Sequence, residues 1–358
     1  MVRSCSSSND NVMPQRYLVV APQGLGDSLE ATPLVASLRT NFPDCRLDVV
    51  VTRDGPAQLF CGLQGVVDEV IFLPYWDRGP VPFLRKLAGG LRRAPYDASF
   101  LAFPSARPVY RVLLSAFRAR QRFAHDWNFG LIDRLTRTRA VHVRDVHNVE
   151  RNRDLLRAAA IPVTPLESYL TPPKWSKDAT RNPRRIVVHV GSVKHDGLDK
   201  KRWPVVRFAE LCRELAIAGY EVTLLCGPDE LDETRLCSQA AGGILIHQSD
   251  LAGAAHLLAS SGALVASDNG VAHLAAGVGT PVVAIFGPTP LNFAPFAANA
   301  IALRPSSCPP CFDVRRPQVT CVRNIDFACL KDVTVEMVFE AIQRCIERKI
   351  DITANPRA

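Results

Sequence analysis

Short apolar runs alternate with amphipathic stretches along the first half of the chain. Four of these runs are typical of buried strands: RYLVVA (16–21), RLDVVVT (46–52), GVVDEVIFLP (65–74) and YDASFLAFP (96–104). The stretch between the first two has the pattern of a helix, with a stop at Asn41–Pro43. Strands that alternate with helices in this way predict a parallel sheet covered by helices.

The second half repeats the alternation. Strand patterns occur at RIVVHVGS (185–192), YEVTLLCG (220–227), ALVASDNG (263–270) and PVVAIFGPT (281–289), and helix patterns at WPVVRFAELCRELAIAG (203–219), DLAGAAHLLASSG (250–262) and VAHLAAGVG (271–279). Two such successions predict an α/β protein with two separate, doubly wound, Rossmann-like sheets, whose ligands bind at the carboxyl ends of the strands. The cleft between the two sheets is therefore the expected binding site.

An aperiodic stretch lies between the two halves. TPLESYLTPPKWSKDATRNPRR (164–185) is rich in Pro, Thr and charge, so we place a linker near Thr171–Arg184 and expect proteases to cut there. The predicted organisation is a disordered N-terminus (1–14), an N-terminal domain (15–175), a C-terminal domain (176–333) and a C-terminal helix and tail (334–358).

Composition and charge narrow the class of protein. The chain has 358 residues, of which 47% are hydrophobic, and a net charge of +8 that suits anionic ligands such as nucleotides, phosphorylated glycans or an acidic membrane surface. This charge excess does not indicate nucleic acid as a partner. The longest apolar runs are far shorter than the ~20 residues of a spanning helix, and the polar N-terminus lacks the apolar core of a signal peptide. We therefore expect a cytoplasmic protein that touches a membrane at most peripherally.

The stretch SDNGVAHLAAGVG (267–279) predicts a helix start that could hold an anion. The first N–H groups after Gly270 lack helical partners, the helix dipole is positive there, and small side chains let a diphosphate approach closely. Asn269 is expected to cap the helix or donate to a phosphate, and His273, about one turn later, to reach a ligand or simply pack. The alternative is that Asp268 and Asn269 are helix caps and nothing more.

A second Gly-rich turn, PQGLGDSLEATP (22–33), ends the first strand and is expected across the cleft. Its carboxylate, Asp27, is a candidate catalytic group. The alternative is a helix N-cap with Glu30 as its capping-box partner, and one residue can have both roles. The turn is not a dinucleotide-binding fingerprint, because Leu29 stands where the third Gly is required. A nicotinamide site is therefore disfavoured.

The motifs GLGDSLEATPLVASLRTNFP (24–43) and SDNGVAHLAAGVGTPVVAIFGPTP (267–290), with KKRWP (200–204) and CGPDE (226–230) between them, resemble those of the heptosyltransferases of lipopolysaccharide core synthesis, glycosyltransferase family 9. The resemblance spans nearly the whole chain. It implies the two-domain GT-B fold, with an acceptor-binding N-terminal domain and a nucleotide-sugar-binding C-terminal domain. It also implies transfer of heptose from ADP-heptose with inversion of the anomeric carbon and without a catalytic metal or other cofactor.

The resemblance assigns roles to residues of this chain. Asp27 matches the general base, and Lys201 matches the lysine that neutralises the departing diphosphate, with Lys200 and Arg202 as neighbouring alternatives. Glu230 matches the carboxylate that binds the nucleoside ribose, and its alternative is an exposed loop acid. Contacts to the donor are implied for Gly26, Ser192, Asp268, Asn269, His273 and the backbone of Gly270, Val271 and Ala272. Asn269 replaces the hydroxyl residue usual after that Asp, and its amide can still donate to a phosphate.

The family's GT-B fold also bears on the last predicted helix, TVEMVFEAIQRCIERK (334–349). Its apolar face carries Val335, Val338, Ile342 and Ile346. In this fold such a helix often crosses back to the first domain, and the alternative is an ordinary packing helix.

Arginines crowd the first half: Arg92, Arg93, Arg107, Arg111, Arg118, Arg120 and Arg122. A phosphorylated or Kdo-bearing acceptor would be held by several of them, and we select Arg120 and Arg122 as candidates; the alternative is a solvated basic face. The implied partners are an ADP-sugar donor and an anionic glycolipid, the lipopolysaccharide core. The protein is expected to bind this glycolipid at the inner face of the inner membrane. Within the family the alternative acceptor is a protein. Outside it, the alternative is a non-catalytic sugar-nucleotide or metal-binding protein.

Four of the eleven cysteines form a cluster in sequence: Cys308, Cys311, Cys321 and Cys329. Four thiolates suit a tetrahedral Zn or Fe ion, although these spacings are not those of a zinc ribbon. A structural metal and free, packed thiols are the two alternatives. A metal here would not be catalytic, because the family-type site uses Asp and Lys.

Overall fold

The computed structural model describes residues 15–74, 85, 87–89, 93–192, 195–227, 230–305, 308–316 and 319–347. The predicted disordered N-terminus (1–14) and the tail beyond residue 347 lie outside these residues. No helix in the described ranges is both long and apolar enough to cross a membrane.

The first half of the chain builds one parallel sheet. Its strands are β1 (Arg16–Ala21), β2 (Arg46–Val51), β3 (Glu69–Phe72), β4 (Tyr96–Leu101), β5 (Ala119–His125) and β6 (Arg139–Val141), in the spatial order β3-β2-β1-β4-β5-β6. Its described helices are α1 (Leu25–Asn41), α2 (Asp54–Gly62), α3 (Pro108–Ser115), α4 (Gly130–Leu135) and α5 (Asn148–Ala158). The predicted helix stop at Asn41–Pro43 is confirmed.

The second half builds a separate parallel sheet of the same design. Its strands are β7 (Asn182–His189), β8 (Glu221–Cys226), β9 (Leu245–Gln248), β10 (Ser261–Ser267), β11 (Val282–Ile285) and β12 (Ala300–Leu303), in the order β12-β11-β10-β7-β8-β9. Its described helices are α6 (Val205–Ile217), α7 (Leu231–Ala240), α8 (Leu251–Ala259), α9 (Gly270–Gly277), α10 (Ala328–Lys331) and α11 (Val335–Glu347). Both sheets have the doubly wound strand order, so the predicted fold class is confirmed.

The strand order fixes where a ligand can bind. The connections reverse direction between β1 and β4 in the first sheet, and between β7 and β10 in the second. Loops that leave neighbouring strands in opposite directions open a crevice at the carboxyl edge of a sheet. Three of the predicted motifs follow β1, β7 and β10 and therefore lie at these two crevices, and the fourth, CGPDE, follows β8, the neighbour of β7.

Helices α1 and α9 join the two halves. They pack against each other, and one continuous apolar core runs from β1 and α1 to α9 and β11. The segment before η1, a 3-10 turn at Pro173–Trp175, is held between them. In this segment Ser168 Oγ donates to Ala276 O of α9 (3.1 Å), and Leu170 N donates to Thr32 Oγ1 of α1 (2.9 Å). The segment directly before the predicted linker is thus packed, while cleavage between 171 and 184 stays a prediction.

The last helix belongs to the second half. In α11 the side chains of Val335, Val338 and Ile342 are buried in the same core as α6 and the strands β7 and β10. The described part of this helix therefore packs within the second half, and a return of the chain to the first domain stays a prediction. Its apolar face is buried in the core of the second half.

Candidate active site

Asp27 lies in the first turn of α1, but it is not the helix cap. The helix begins at Leu25, with Gly24 as the N-cap residue in an extended conformation and without a side-chain cap. The carboxylate of Asp27 reaches back to accept the N–H of Gly24, which is the return half of a capping box. The prediction of Asp27 as N-cap is therefore wrong by three positions.

Burial raises the pKa of Asp27 from 3.8 to about 6. That value also includes a smaller rise caused by the negative charge of Asp268 and the opposing effects of Lys201, the Gly24 N–H and Arg53, which favour the carboxylate. Lys201 and Asp268 belong to the second half of the chain, so charges from both halves act on one carboxyl group. A carboxylate with a pKa near 6 is ionised at neutral pH and still basic enough to accept a proton.

Glu30 is a buried carboxyl behind Asp27 and not a capping-box partner. It is 1% exposed, and its Oε2 accepts a hydrogen bond from Asn148 Nδ2 of α5 at 3.0 Å. Its Oε1 has no hydrogen-bond partner among the described residues. Burial, and then the charge of Asp27, raise the pKa of Glu30 well above its usual range. The neutral form is therefore favoured, which keeps a second negative charge away from Asp27.

Two glycines allow α1 and α9 to touch at the cleft. A Cβ at Gly26 would lie 3.0 Å from His273 Cδ2, and a Cβ at Gly270 would lie 3.3 Å from the backbone N of Gly26. Contacts this short leave no space for a larger residue at either position without displacement of the helices. The two predicted motifs are thus brought together by their glycines.

Asn269 is the cap of α9, as one of the sequence alternatives predicted. Its Oδ1 accepts from the N–H groups of Val271 (3.0 Å) and Ala272 (3.2 Å), and its Nδ2 donates to Gly191 O (2.9 Å). Asp268 is not a cap. Both N–H groups are thus bonded to the amide oxygen of Asn269, so a phosphate could bind them only by displacing that oxygen, and the predicted phosphate contact stays a prediction.

Lys201 and Asp268 form a buried ion pair. Lys201 Nζ lies 2.6 Å from Asp268 Oδ2, and the two side chains are 11% and 8% exposed. Burial opposes the charged form of Asp268, but the adjacent ammonium outweighs it and holds the pKa of this carboxyl below its usual value. Lys200 is exposed, and Arg202 turns away from Asp268. Of the three basic neighbours, Lys201 is therefore the one that enters the site.

Glu230 lies in the site, so the alternative of an exposed loop acid is wrong. Its Oε2 accepts from His189 Nε2 (2.8 Å) and from the N–H of Gly227 (3.1 Å). Burial opposes its charge, but His189 and this N–H outweigh burial and lower the pKa of Glu230. A Cβ at Gly191 would lie 2.1 Å from Glu230 Cδ. Gly191 is therefore required to leave space for the carboxylate.

Ser192 closes the same loop. Its Oγ donates to Leu198 O (3.2 Å) and accepts from Arg202 Nε (3.0 Å). Arg202 also pairs with Glu233 at 3.0 Å. The loop after β7 is thus tied to the first turn of α7, which places Ser192, Lys201 and Glu230 around one crevice.

Arg120 and Arg122 do not lie near Asp27. Both precede the buried end of β5, and Arg120, with its side chain 77% exposed, pairs with Asp97 near the start of β4. Because the strands are parallel, this edge of the sheet is opposite the edge that carries Asp27. Arg111 is buried against Asp133, Arg93 pairs with Glu69, Arg118 is exposed, and Arg92 lies outside the described residues.

Arg53 and Arg107 lie at the carboxyl edge of the first sheet, the edge that carries Asp27. Arg53 follows β2 and Arg107 follows β4, directly before α2 and α3. Both charges act on Tyr110, which also hydrogen-bonds Gln23 in the loop after β1, and Arg53 acts on Asp27 as well. They therefore give the first half a positive rim beside Asp27.

The four clustered cysteines line one cavity of about 260 Å³. Cys308 and Cys329 are buried, and Cys311 and Cys321 are half-buried. In the described part of the chain, however, no group of three or more His, Cys, Asp or Glu side chains is placed to hold one ion. Sulfur donors are suitable ligands for a Zn or Fe ion, but the four sulfur atoms are not arranged around one point.

The sequence patterns missed several residues of this site. His189 is a polar residue inside the apolar run RIVVHVGS, and that interruption is a signal that could have found it. Arg107 is among the crowded arginines but is not selected as a candidate. Arg53 and Tyr169 have no such signal, because Arg53 is an ordinary residue after a strand and Tyr169 lies in the aperiodic stretch.

Comparisons with known proteins identify the family. The family profile described as glycosyltransferase family 9 (heptosyltransferase) matches residues 85–320. Lipopolysaccharide heptosyltransferase 2 of Escherichia coli K12 is 25% identical over 308 residues, covering 78% of this chain and 85% of that protein. Among solved structures, E. coli heptosyltransferase WaaC with ADP has a TM-score of 0.69 at 21% identity, covering 92% of this chain and 100% of that one.

A further solved structure is the iron-containing heptosyltransferase TibC in complex with ADP-D-beta-D-heptose. Its TM-score is 0.60 at 16% identity, and the match covers 93% of this chain and 76% of that one. At this identity the likeness concerns the fold, which is GT-B in these proteins and in this chain. With two doubly wound sheets, a Gly-Asp turn facing an Asp-Asn-Gly helix start, and a profile match over most of its length, the chain belongs to glycosyltransferase family 9, the lipopolysaccharide heptosyltransferase family.

Proposed function

We propose that this enzyme transfers a heptose from ADP-heptose to an anionic acceptor of the lipopolysaccharide inner core, with Asp27 as general base. One observation carries the proposal. Asp27 of the first half and the Lys201–Asp268 pair of the second half act on each other across one cleft. A base and a cation that neutralises a leaving diphosphate must face the same sugar, and this arrangement supplies both.

The proposed reaction is a single displacement. Asp27 accepts the proton of the acceptor hydroxyl while the oxygen of that hydroxyl bonds to C1 of the heptose. In the same step the bond from C1 to the diphosphate oxygen breaks, with inversion at C1. ADP leaves with the electron pair of that bond, and the ammonium of Lys201 stabilises the developing charge. Asp268 holds Lys201 in position before the donor binds.

The donor pocket is proposed to lie along the carboxyl ends of β7, β8 and β10. Glu230, fixed by His189, is positioned to accept hydrogen bonds from the ribose hydroxyls. Ser192, Gly26, Gly270 and His273 border the space beside Lys201 and Asp268. Within this proposal the phosphates contact Lys201 and the start of α9. There, either a phosphate replaces Asn269 Oδ1 as the acceptor of the Val271 and Ala272 N–H groups, or the side-chain amide of Asn269 itself donates to the phosphate.

The acceptor is proposed to lie on the first half, against Arg53 and Arg107. The charge of Arg53 acts on Asp27, and the charges of both arginines and of Asp27 act on Tyr110, whereas Arg120 and Arg122 lie at the far edge of the sheet. Guanidinium groups bind phosphates and carboxylates through paired hydrogen bonds. An anionic glycolipid core fits this rim, and peripheral contact with a membrane is part of the proposal because such an acceptor is anchored in lipid.

Arg107→Ala should raise the KM for the anionic acceptor by about 10-fold or more, since a hydrogen bond to a charged group contributes about 1.5–3 kcal/mol. Arg120→Ala is the matched control and should leave that KM unchanged. Steady-state rates with acceptor varied, at low and raised salt, measure both. Unchanged acceptor KM in Arg107→Ala, or an effect of Arg120→Ala equal to it, would contradict the assignment.

The function itself is tested with a panel of nucleotide sugars. Thermal shift identifies the best binder, which is then supplied in labelled form with either deacylated or intact core glycolipid, or with polypeptide acceptors. Label on the glycolipid supports the proposal. Label on polypeptide favours the rival, a protein heptosyltransferase, and binding without any transfer favours a non-catalytic sugar-nucleotide protein.

The cysteine cavity gives a separate prediction. A metal here requires the four thiols to move closer together than they lie in this structure. Such a site predicts about one Zn or Fe per chain, lost when Cys308 and Cys311 are both changed to Ser, with melting temperature falling more than donor affinity. The exposed Cys61, changed to Ser, serves as control. Elemental analysis after anaerobic purification measures the metal, and protein with none would favour free, packed thiols.

A further inference from the structure

Tyr169 connects the segment between the two halves to the active-site helix α9. Its hydroxyl lies 2.8 Å from His273 Nδ1, and both side chains are buried. The same hydroxyl accepts the backbone N–H of Phe296 at 2.8 Å. The Tyr169 side chain is thus held by two groups of the second half, while its neighbour Leu170 is bonded to α1 of the first.

The position of the hydroxyl proton follows from these contacts. A tyrosine hydroxyl has one proton to donate, and its oxygen accepts. Because Phe296 N–H donates to that oxygen, the proton is available to an acceptor, and Nδ1 of His273 is the acceptor within reach among the described residues. An unprotonated Nδ1 lets the hydroxyl both donate and accept, whereas an Nδ1–H would leave the hydroxyl proton without an acceptor among the described residues, so the unprotonated Nδ1 is favoured.

The ring of His273 is neutral in this environment. Burial lowers its pKa to about 4, although the charge of Asp268 opposes this shift. A neutral imidazole has one N–H, so an unprotonated Nδ1 places the hydrogen on Nε2. The Cδ2–Nε2 edge faces Gly26, where a Cβ would lie 3.0 Å from Cδ2 and 3.5 Å from Nε2. Asp268 and Lys201 are close enough for their charges to act on the same ring.

We propose that Tyr169 is a positioning residue that fixes His273 in its Nε2–H tautomer, so that α9 presents a neutral hydrogen-bond donor to the diphosphate sugar. The role in donor binding rests on the proposed function, whereas the tautomer does not. A neutral donor binds a phosphate or sugar oxygen without adding a second full charge beside the Lys201–Asp268 pair. Tyr169 also makes this donor depend on the segment that lies between α1 and α9.

The tautomer is tested on the protein alone by ¹⁵N spectroscopy of its ring nitrogens. The chain has eight histidines, and the signals that disappear in His273→Gln identify this ring. The wild type should show a protonated Nε2 and an unprotonated Nδ1, and Tyr169→Phe should show a mixture of both tautomers. A protonated Nδ1 in the wild type, or a spectrum unchanged by Tyr169→Phe, would overturn the proposal.

Kinetics then test the use of this donor. Tyr169→Phe should raise the KM for the ADP-sugar by about 2- to 12-fold, the worth of one hydrogen bond, and leave the KM for acceptor unchanged. Tyr96→Phe, which removes a buried hydroxyl bonded to Asp48 at the opposite edge of the first sheet, controls for loss of a hydroxyl. In the His273→Gln background, which retains an amide donor, Tyr169→Phe should have little further effect. Equal effects in both backgrounds would show that Tyr169 acts independently of His273.

These readouts separate the two levels of the proposal. If no heptose donor is turned over, the proposed function fails, but the ring-nitrogen spectrum still decides the tautomer. If turnover is observed and the tautomer is as expected, an unchanged donor KM in Tyr169→Phe removes the positioning role alone.

Discussion

Asp27→Asn should lower turnover by about 10²–10⁴-fold, the usual contribution of a general base, with little change in affinity for the ADP-sugar. Asn keeps the shape of the side chain, and its Oδ1 can still accept the N–H of Gly24, but it cannot take up the acceptor proton. The rival explanation, in which Asp27 only stabilises the start of α1, predicts near wild-type turnover. Steady-state rates and nucleotide affinity for this one variant separate the two.

The same variant should be more stable than the wild type at pH 7–8. Asp27 has a pKa of about 6 in the folded protein instead of 3.8, so the folded state binds the proton more tightly than the unfolded state. The free energy of unfolding therefore falls as pH rises from about 4 to about 6 and stays at that lower level above it. Two pKa units correspond to about 3 kcal/mol, and partial exposure of the group reduces this to about 1–3 kcal/mol.

A matched control is available on the next helix of the same sheet. Asp54 is an exposed acid in the first turn of α2, also at the carboxyl edge. Asp54→Asn should change neither turnover nor the pH profile. In the wild type kcat/KM should fall below pH about 6 as Asp27 becomes protonated. Near wild-type turnover in Asp27→Asn would end the general-base assignment, and a melting temperature below that of the wild type would contradict the stability prediction.

Most of the sheet core could be predicted from the sequence because its strands are buried on both faces. β1, β2, β7, β8 and β10 read as continuous apolar runs, as parallel strands covered by helices do. β5, β6, β9 and β12 lie towards or at the sheet edges, are short or begin with exposed polar residues, and have no such run. An arginine-rich stretch such as Ala119–His125 therefore looked like a basic surface, and its role as a strand depends on pairing with β4.

The site residues divide in the same way. Asp27, Lys201, Glu230 and Asp268 follow apolar strands within recognisable motifs, so sequence locates them. Their partners come from distant segments: Glu230 needs His189, and His273 needs Tyr169, 104 positions away. Arg120 and Arg122 were predicted to bind the acceptor but lie at the edge of the sheet opposite Asp27. Charge density along the chain does not reveal which edge of a sheet a residue occupies.

Lys201→Ala is expected to have an effect on the same scale as Asp27→Asn, by a different route. Loss of the ammonium removes a charge-assisted contact to the diphosphate, so the KM for ADP-sugar should rise by about 10-fold or more. It also removes stabilisation of the leaving group, which should lower kcat by about 10²–10³-fold. Asp27→Asn, in contrast, should affect kcat alone.

The ion pair complicates this variant and also provides its control. Lys201→Ala leaves the carboxylate of Asp268 buried without its partner at 2.6 Å, which repels the diphosphate and costs stability. Adding Asp268→Asn removes that charge, so the double variant should regain stability and some donor affinity. Its kcat should stay low, because no cation faces the leaving ADP. Lys200→Ala, one position away and exposed, should behave as wild type, and recovery of full kcat in the double variant would show that Lys201 serves only to neutralise Asp268.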